Sequence, residues 1–272
     1  MNSARQKRAS AADVFGAPCW VSLMARDLHA AEGFYGAVLG WTFRPTRLGE
    51  AFRVAELGGV PVAGLGARAA VLSMAVAWTP YFAVADADAA VARIRERTGT
   101  VAVGPVPFGD TGRGVLAADP QGAVFGLWEG SIFADWGSTP GDAPAWVELR
   151  TRDVFAAAVF YGQVLGWANG QPGCCAVSYE QDRVVLRQGD RVVARLTGGP
   201  VVEASDEPVR RPRWHVHFAV PRLDAAVAAA LELGGSAPTG SPTPDRDDAH
   251  RATTLADPDG ALFTLWESAT TR

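Results

Sequence analysis

A long internal repeat constrains this sequence more than any single motif. The segment at residues 17–41 returns as residues 143–167, and about two-thirds of the aligned positions are identical. Both copies begin with Trp-Val-x-Leu, continue with Arg-Asp, and end with Phe-Tyr-Gly-x-Val-Leu-Gly-Trp. A duplication of this length indicates that the chain folds as related units, and function must be sought where the copies differ.

Both copies predict a strand, a helix and a further run of strands. In the first copy a short apolar strand precedes Asp27, which is suited to cap the N-terminus of a helix. Apolar residues then recur at helical spacing until Gly40, which ends the helix. The dipeptide Gly58-Gly59 is a tight β-hairpin signal, so short antiparallel strands follow.

A second type of unit follows each copy. It begins near Trp78 with a strand, continues with a helix rich in Ala and Val, and ends in Asp119-Pro-Gln-Gly, a turn that feeds a buried strand. The same pattern returns near the end of the chain and closes with Asp257-Pro-Asp-Gly. The chain therefore contains four units in the order A, B, A′ and B′.

These units predict an α+β fold in which four βαβββ modules pair into two open, barrel-like domains. One helix covers only one face of a small sheet, so the modules must pair, which also forms a concave pocket. The repeats place the domains at residues 15–130 and 143–268, with a flexible tail at 1–14 and a Gly- and Pro-rich linker at 131–142. Module A can pair with B or, in a crossed arrangement, with B′, and the sequence leaves this choice open.

Composition favours an ordinary globular protein with a small-molecule ligand or substrate. The 272 residues are 48% hydrophobic and 20% charged, with a net charge of -4. Basic residues are scattered among more numerous acidic ones, which argues against a nucleic-acid partner. No segment has the roughly eighteen consecutive apolar residues of a membrane span or the pattern of a signal peptide. We therefore expect a cytoplasmic monomer or homodimer without a membrane partner, whose three cysteines are reduced because their spacing fits no disulfide framework.

Four motifs of the chain form a characteristic set. They are Trp-Val-x-Leu before an Asp cap, Phe-Tyr-Gly-x-Val-Leu-Gly-Trp, Pro-Val-Ala-Gly-Leu, and Asp-Pro-x-Gly-Ala-x-Phe-x-Leu-Trp-Glu. The set resembles the vicinal oxygen chelate superfamily, which includes glyoxalase I, bleomycin-resistance proteins and extradiol dioxygenases. More narrowly, it resembles the tandem two-domain actinobacterial branch described as hydroxylase-like, over about residues 15–268. The resemblance implies the paired-module fold, whereas function varies on this scaffold and must be argued from the site.

The resemblance also implies where a divalent metal would lie. Enzymes of the superfamily hold it with His, Gln or Glu from the first strand of each module, and often with a Glu from the last. The equivalent first-strand and last-strand positions are Trp20, Thr79, Trp146 and His215, and Gly64, Gly126, Arg195 and Thr264. Because at least three good ligands are normally needed and His215 is the one good ligand here, we expect no cofactor, a divalent metal being disfavoured rather than excluded.

The residues two positions further along each first strand share its face, and they are Ser22, Tyr81, Glu148 and His217. The second repeat is therefore the richer in chemistry, whereas the first suits aromatic contact. We predict a substrate-binding set that combines these groups with flat aromatic rings. The set is Trp20, Ser22, Tyr81, Trp128, Trp146, Arg195, Thr264 and Trp266.

Glu148, His217 and His215 are the candidate catalytic residues. A carboxylate beside an imidazole orients the ring and raises its pKa, as in general acid-base pairs. In this hypothesis His217 moves a proton with Glu148 as its partner, while His215 and Arg195 bind or polarise an oxygen. In the alternative interpretation, Glu148 and Arg195 form a buried ion pair that satisfies only itself.

Two classes of function follow from these residues. The first is a metal-independent protein that binds a small aromatic or polyketide-like molecule, as the drug-binding members of the superfamily do. The second is a metal-independent isomerase, cyclase or lyase that uses Glu148 and His217 as an acid-base pair. The Ala-, Gly- and Arg-rich composition resembles that of actinobacterial proteins, so secondary metabolism, including antibiotic biosynthesis, is the expected setting.

Overall fold

The computed structural model describes residues 8–46, 48–67, 69, 75–133, 136, 146–180, 183–199, 201, 211–238 and 251–268. Its helices are α1 (Leu28–Leu39), α2 (Ala87–Glu96), α3 (Val154–Leu165) and α4 (Leu223–Glu232). The strands of the first half are β1 (Arg8–Ser10), β2 (Pro18–Met24), β3 (Thr42–Thr46), β4 (Gly49–Leu57), β5 (Val60–Gly66), β6 (Trp78–Ala83), β7 (Thr100–Pro107), β8 (Gly112–Ala118) and β9 (Val124–Phe133). Those of the second half are β10 (Trp146–Thr151), β11 (Ala176–Glu180), β12 (Arg183–Gln188), β13 (Arg191–Gly198), β14 (Arg213–Val220), β15 (Ala252–Ala256) and β16 (Leu262–Glu267).

Local signals in the sequence set the ends of the helices. Asp27 caps α1 by accepting a hydrogen bond from the Ala30 backbone N–H at 2.7 Å, and Asp86 and Asp153 cap α2 and α3 in the same way. Helix α1 ends at Gly40, which adopts the left-handed conformation with a φ of 69°. Both predictions for α1 are confirmed. None of the helices in the described part of the chain is long and apolar enough to cross a membrane.

Modules A, B and A′ have the predicted order of elements, and the mixture of open sheets and helices confirms the α+β class. In module A, β2 and α1 precede β3, β4 and β5; modules B and A′ repeat this order, and two strands, β15 and β16, follow α4 within the described part of B′. The first strand of each module pairs in parallel with its last strand, whereas the other strand pairs described within a module are antiparallel. The sheets are open, with β3, β7, β11 and β15 as edge strands.

The chain divides into two compact units. The terminal unit contains modules A and B′ together with Trp146, and the central unit contains modules B and A′ together with Trp214 and the N-terminal segment up to Cys19. Each compact unit therefore combines modules in the crossed manner. The strand order, in contrast, joins module A with B through β2 and β6, and A′ with B′ through β10 and β14.

An aromatic core lies on the helix side of the sheets in each unit. In the terminal unit it consists of Phe34, Tyr35, Trp41, Trp78, Phe218 and Phe263. In the central unit it consists of the pseudo-equivalent Phe160, Tyr161, Trp167, Trp214, Phe82 and Phe125. Trp41 and Trp167 are buried, so these two tryptophans are core residues rather than ligand contacts.

A buried hydrogen-bond chain runs through each core. In the terminal unit, Trp78 Nε1 donates to the Tyr35 hydroxyl at 2.9 Å, and this hydroxyl donates to Asp257 Oδ2 at 2.8 Å. In the central unit, Trp214 donates to Tyr161 at 2.9 Å, which donates to Asp119 at 3.0 Å. Each chain joins two modules, because the tyrosine lies in the helix of one module and the aspartate in the last turn of the other.

The N-terminal segment contains a short strand and a short helix. Residues 8–10 form β1, which pairs with the end of β9, and Ala11–Asp13 form a short 3-10 helix capped by Ser10. Of the tail predicted at 1–14, residues 8–13 form these two short elements, and residues 1–7 lie outside the described part. Most of the predicted linker at 131–142 also lies outside it.

The cysteines are free thiols. Burial raises the pKa of Cys175 to about 12, and burial also raises the pKa of Cys19 well above its ordinary value. A buried thiol that stays protonated is a poor nucleophile, so both residues act as small apolar core residues.

Candidate functional site

The candidate site residues lie on the face of each module that is opposite its helix, here called the helix-free face. On β2, Val21 and Leu23 are fully buried, whereas the alternate residues Trp20 and Ser22 are partly exposed. On β13, a Cβ atom built at Gly198 would contact Val154 of α3, so the alternate residues on that strand face away from the helix.

Strand register brings the predicted positions together in all four modules. The family's metal-ligand positions lie on the first and the last strand of each module, and these two strands are parallel neighbours. In every module, the last-strand position pairs with the residue that follows the first-strand position by two. The four pairs are Ser22 with Gly64, Tyr81 with Gly126, Glu148 with Arg195, and His217 with Thr264. The equivalence inferred from spacing is therefore present in the structure.

Aromatic rings lie on glycine in the first two modules. In module B the Tyr81 ring covers Gly126 so closely that a Cβ atom at Gly126 would lie 2.3 Å from Tyr81 Cδ1. In module A the Trp20 indole lies over Gly64, where a Cβ atom would be 3.0 Å from Nε1. The lack of a side chain at these glycines is what lets both rings lie against the last strand.

Trp128 lies two residues beyond Gly126 on the same face of module B. Its indole N–H donates to the Ser131 carbonyl at 3.0 Å, and its ring packs at 5.6 Å from the ring of Phe108. The helix-free face of module B is therefore aromatic, as the sequence predicted for the first repeat.

The histidines of module B′ form a buried cluster in the terminal unit. The His217 ring stacks on Trp146, with centroids 3.8 Å apart and planes inclined by 17°, and the His215 ring meets His217 edge to face at 5.2 Å. His215 Nε2 is 2.7 Å from the Thr264 hydroxyl, which is 2.8 Å from the hydroxyl of Thr254. The cluster thus combines a flat ring surface with a hydrogen-bond chain that can carry a proton. Trp266 follows on the same face of β16 and is half-buried.

Glu148 lies in the central unit and is 5% exposed. Its Oε1 accepts a hydrogen bond from the Thr197 hydroxyl at 2.7 Å, and its Oε2 lies 3.0 Å from Arg150 Nη2. Arg150 lies on the same strand, and the second arginine, Arg195, is the register partner of Glu148 on β13. The carboxylate of Glu148 therefore accepts from a neutral hydroxyl and lies beside a positively charged guanidinium group.

The two glutamates that end the last strands of modules B and B′ cap helices. Glu129 accepts a hydrogen bond from the backbone N–H of Ala87, the first residue of α2, at 2.7 Å. Glu267 does the same for Leu223, the first residue of α4, at 3.2 Å. Carboxylates are favourable at helix N-termini, and both side chains therefore serve the helices rather than the helix-free face.

The donor set does not fit the metal centre of the family's enzymes. The described residues contain no group of three or more His, Cys, Asp or Glu side chains arranged to hold a metal ion. At the family's positions the Trp146 ring is stacked on His217, and Arg195, a cation, faces Glu148 across the two strands. Neither side chain is a metal ligand, so these positions do not provide the donor atoms of the family's metal centre.

Several residues of these clusters were not predicted. They are Arg150, Thr197, Arg213 and Thr254 on the helix-free faces, and Asp119 and Asp257 in the cores. Alternation along a strand could have identified Arg150 and Thr197, which lie two residues beyond Glu148 and Arg195. No local signal distinguishes Asp119 or Asp257 from an ordinary turn residue.

Family models match both halves of the chain. The model of the Glyoxalase/Bleomycin resistance protein/Dioxygenase superfamily matches residues 19–127, and that of the glyoxalase-like domain matches residues 146–266. These matches span the module pairs A with B and A′ with B′.

Two relatives are similar to the chain over nearly its full length. CFP32 from Mycobacterium tuberculosis (strain CDC 1551 / Oshkosh), whose name assigns it provisionally to the glyoxylases, is 32% identical over 261 residues, which cover 93% of this chain and 95% of CFP32. The anthracycline biosynthesis protein DnrV from Streptomyces peucetius is 34% identical over 272 residues, which cover 93% of each chain.

Solved structures with the same fold include enzymes of two kinds. The Mn(II)-bound glyoxalase from Novosphingobium aromaticivorans has a TM-score of 0.52 at 17% identity, covering 93% of this chain and 82% of that one. The 2,3-dioxygenase LapB from Pseudomonas sp. KL28 has a TM-score of 0.57 at 14% identity, covering 94% of each chain. At these identities the likeness shows the fold alone.

Proposed function

Because the chain belongs to the glyoxalase/bleomycin resistance/dioxygenase superfamily, we propose that it binds a small aromatic or polyketide-like molecule on its helix-free faces, without the family's metal centre. The setting that fits is secondary metabolism, since DnrV is named for anthracycline biosynthesis. The module positions that hold metal ligands in the family's enzymes carry aromatic rings here in modules A and A′, Trp20 and Trp146.

The close approach of Tyr81 to Gly126 is the observation that supports this proposal most directly. A tyrosine ring that lies this close to a glycine is held in one orientation, and a planar ligand that stacks on an aromatic ring gains about 0.5–1.5 kcal/mol beyond area burial. Trp20 over Gly64 repeats the arrangement in module A. Rings held flat in this way favour planar ligands over globular ones.

Replacing Gly126 by alanine is expected to weaken the binding of a planar aromatic probe about tenfold, which corresponds to roughly 1.4 kcal/mol. The new Cβ atom would overlap the Tyr81 ring and force it off the strand. Tryptophan fluorescence quenching with 2-(hydroxymethyl)anthraquinone measures the dissociation constant.

The matched control is Gly33→Ala, because a Cβ atom at this position of α1 meets nothing within 4 Å. Equal affinities of the Gly126→Ala variant and the wild type would show that the Tyr81 surface takes no part in binding. Absence of binding by the wild type would contradict the proposed function itself.

A second candidate function has its own supporting observation, the chain that joins His215 to Thr264 and Thr254. A buried imidazole at the end of a hydroxyl chain can exchange a proton with the sheet edge. In this candidate the protein is a metal-independent isomerase, cyclase or lyase, with His217 as the proton carrier, Glu148 as its partner, and His215 and Arg195 on a substrate oxygen.

If the second candidate holds, Glu148→Gln and His217→Ala should each reduce turnover of the bound molecule by at least about a hundredfold. Incubating the protein with the molecule that copurifies with it, followed by mass spectrometry of the products, measures this. The exposed His29→Ala on α1 serves as the control. Unchanged turnover in both variants would rule out acid-base catalysis by this pair.

A further inference from the structure

Helix α3 has an exposed face that is apolar. Its twelve residues, Val154–Leu165, contain no charged side chain, whereas each of the other three helices contains at least one. Phe155 is 67% exposed, more than any other large hydrophobic side chain in the described part of the chain, and Val159 is 41% exposed. A helix that is hydrophobic on all sides belongs in a buried environment, which indicates that another surface covers α3.

Phe155, Val159 and Gly162 form one stripe on this face, which we call the α3 stripe. They follow one another at intervals of four and three residues, the spacing at which side chains share one face of a helix. Phe155 and Gly162 lie about 10 Å apart along the helix, because each residue adds about 1.5 Å. The α3 stripe therefore has a large ring at one end and a residue without a side chain at the other.

The first repeat shows what a glycine at this helix position packs against. Gly36 of α1 is the equivalent of Gly162, and a Cβ atom built at Gly36 would lie 3.5 Å from Phe43 Cε2. In the second repeat Asn169 stands at the position of Phe43, and a Cβ atom built at Gly162 would meet no atom of the described residues within 4 Å. The described residues thus leave open beside α3 the place that a phenylalanine ring occupies beside α1.

The position of Phe155 differs between the repeats in the complementary way. Its equivalent in α1 is His29, a polar side chain that suits an exposed site. The second repeat therefore lacks the ring that covers the glycine, and it carries an exposed ring elsewhere on the same stripe. Both differences have one explanation if Phe155 of a second copy of the chain covers Gly162.

We infer that the α3 stripe is the interface of a homodimer, in which two α3 helices pack antiparallel about a two-fold axis near Val159. In this arrangement Phe155 of each copy lies over Gly162 of the partner subunit, so one surface supplies both the ring and the place for it, as a two-fold interface requires. The small side chains of Ala156 and Gly162 let the helices approach closely.

The charges at the two ends of α3 favour the antiparallel arrangement. They are Arg152 and Asp153 at the N-terminal end, and Arg93, Glu96 and Arg97 of α2 at the C-terminal end. Arg93 and Arg97 are tied to that end, because they donate to the Val164 carbonyl and to Gln163. Two positive charges and one negative charge make the C-terminal end net positive, whereas the N-terminal end is neutral. An antiparallel pair places Asp153 beside the positive end of the partner subunit, and a parallel pair would bring the two positive ends together.

The size of the α3 stripe predicts a weak dimer. Helix α3 is about 18 Å long, and one pair of such helices buries less than the roughly 800 Å² per partner of a standard interface. We therefore expect a dissociation constant in the micromolar range.

Sedimentation velocity of the full chain between about 2 and about 200 µM tests the inference. The wild type is expected to pass from monomer to dimer over this range. Phe155→His, which introduces the residue of the first repeat, and Gly162→Gln, which fills the open place, should each raise the dissociation constant at least about tenfold. The matched control is Leu231→His, because Leu231 is a 47% exposed leucine of α4, and it should leave the dissociation constant unchanged.

A cysteine at the two-fold axis gives a second, positional readout. In the Val159→Cys variant the two introduced thiols would lie opposite each other, so a short bismaleimide should join the two copies covalently. Leu231→Cys, which places a thiol on a different helix, should give no such product.

These measurements are made without a ligand, so their outcome does not depend on the proposed function. A wild type that stays monomeric at about 200 µM overturns the inference and leaves the α3 stripe to a partner of another sequence. A dimer whose dissociation constant neither substitution changes, or one that Val159→Cys does not cross-link, overturns it as well, because the copies then meet through another surface.

Discussion

Replacing Tyr35 by phenylalanine is expected to lower the free energy of unfolding by about 2–4 kcal/mol, because two buried groups lose their partner at once. The Tyr35 hydroxyl accepts from Trp78 Nε1 and donates to Asp257 Oδ2, and its side chain is fully buried. The loss is a large part of the 5–15 kcal/mol or so that holds a typical domain folded. Denaturant unfolding followed by circular dichroism measures it.

The duplication supplies an internal comparison for this prediction. Tyr161 makes the same two bonds with Trp214 and Asp119 in the central unit, so Tyr161→Phe should cost a similar amount. Tyr179, with 63% of its surface exposed, provides the control, and Tyr179→Phe should change stability by less than about 0.5 kcal/mol. A loss for Tyr35→Phe as small as that of the control would show that the hydroxyl chain does not stabilise the core.

The second large effect is expected at Asp119, whose carboxylate ties a turn to the core of the central unit. Its Oδ1 accepts from the backbone N–H groups of Gln121 and Ala123, and its Oδ2 accepts from the Tyr161 hydroxyl. Asp119→Ala leaves these three donors without their acceptor and should lower the free energy of unfolding by about 3–4 kcal/mol. The exposed Asp110→Ala is the control for the same measurement.

The pH dependence gives this prediction a second readout. Burial raises the pKa of Asp119 above its ordinary value of 3.8, against the opposing effect of its hydrogen bonds. The folded state therefore binds this proton more tightly than the unfolded state does. Protonation of Asp119 stabilises the fold fully below pH 3.8, and this stabilisation is lost as the pH rises through the pKa that Asp119 has in the folded state. Asp119→Asn removes this titration, so the stability gap between wild type and variant should narrow from pH 3.5 to pH 7. A gap that widens over this range would contradict the assignment.

Much of the candidate site could be predicted because it depends on local spacing. Alternation along a strand placed Glu148 and His217 at equivalent positions, and the turn motifs located Arg195 and Thr264 on the strands that pair with them. Register follows from such motifs when one face of a sheet is buried. The catalytic and substrate roles given to these residues stay predictions.

The actual partners of the site residues could not be predicted in this way. Glu148 contacts Arg150 and Thr197, and His217 stacks on Trp146. The spacing of residues along a strand predicts the face of the sheet on which a side chain lies. Its rotamer and the twist of the strands decide which neighbouring side chain it contacts. The ion pair of Glu148 with Arg150 is one such contact that spacing did not predict.

By itself, the sequence determined the four modules, their helix caps and hairpins, and the faces on which the candidate residues lie, since each depends on contacts between residues close along the chain. Only the tertiary structure decided that module A shares its core with B′, and B with A′. The physical reason lies in the duplication. Both repeats carry the same tyrosine in the helix and both closing turns carry the same aspartate, so local sequence does not distinguish one pairing from the other. The choice is made by the buried bonds of Tyr35 with Asp257 and of Tyr161 with Asp119, which join residues far apart in the chain.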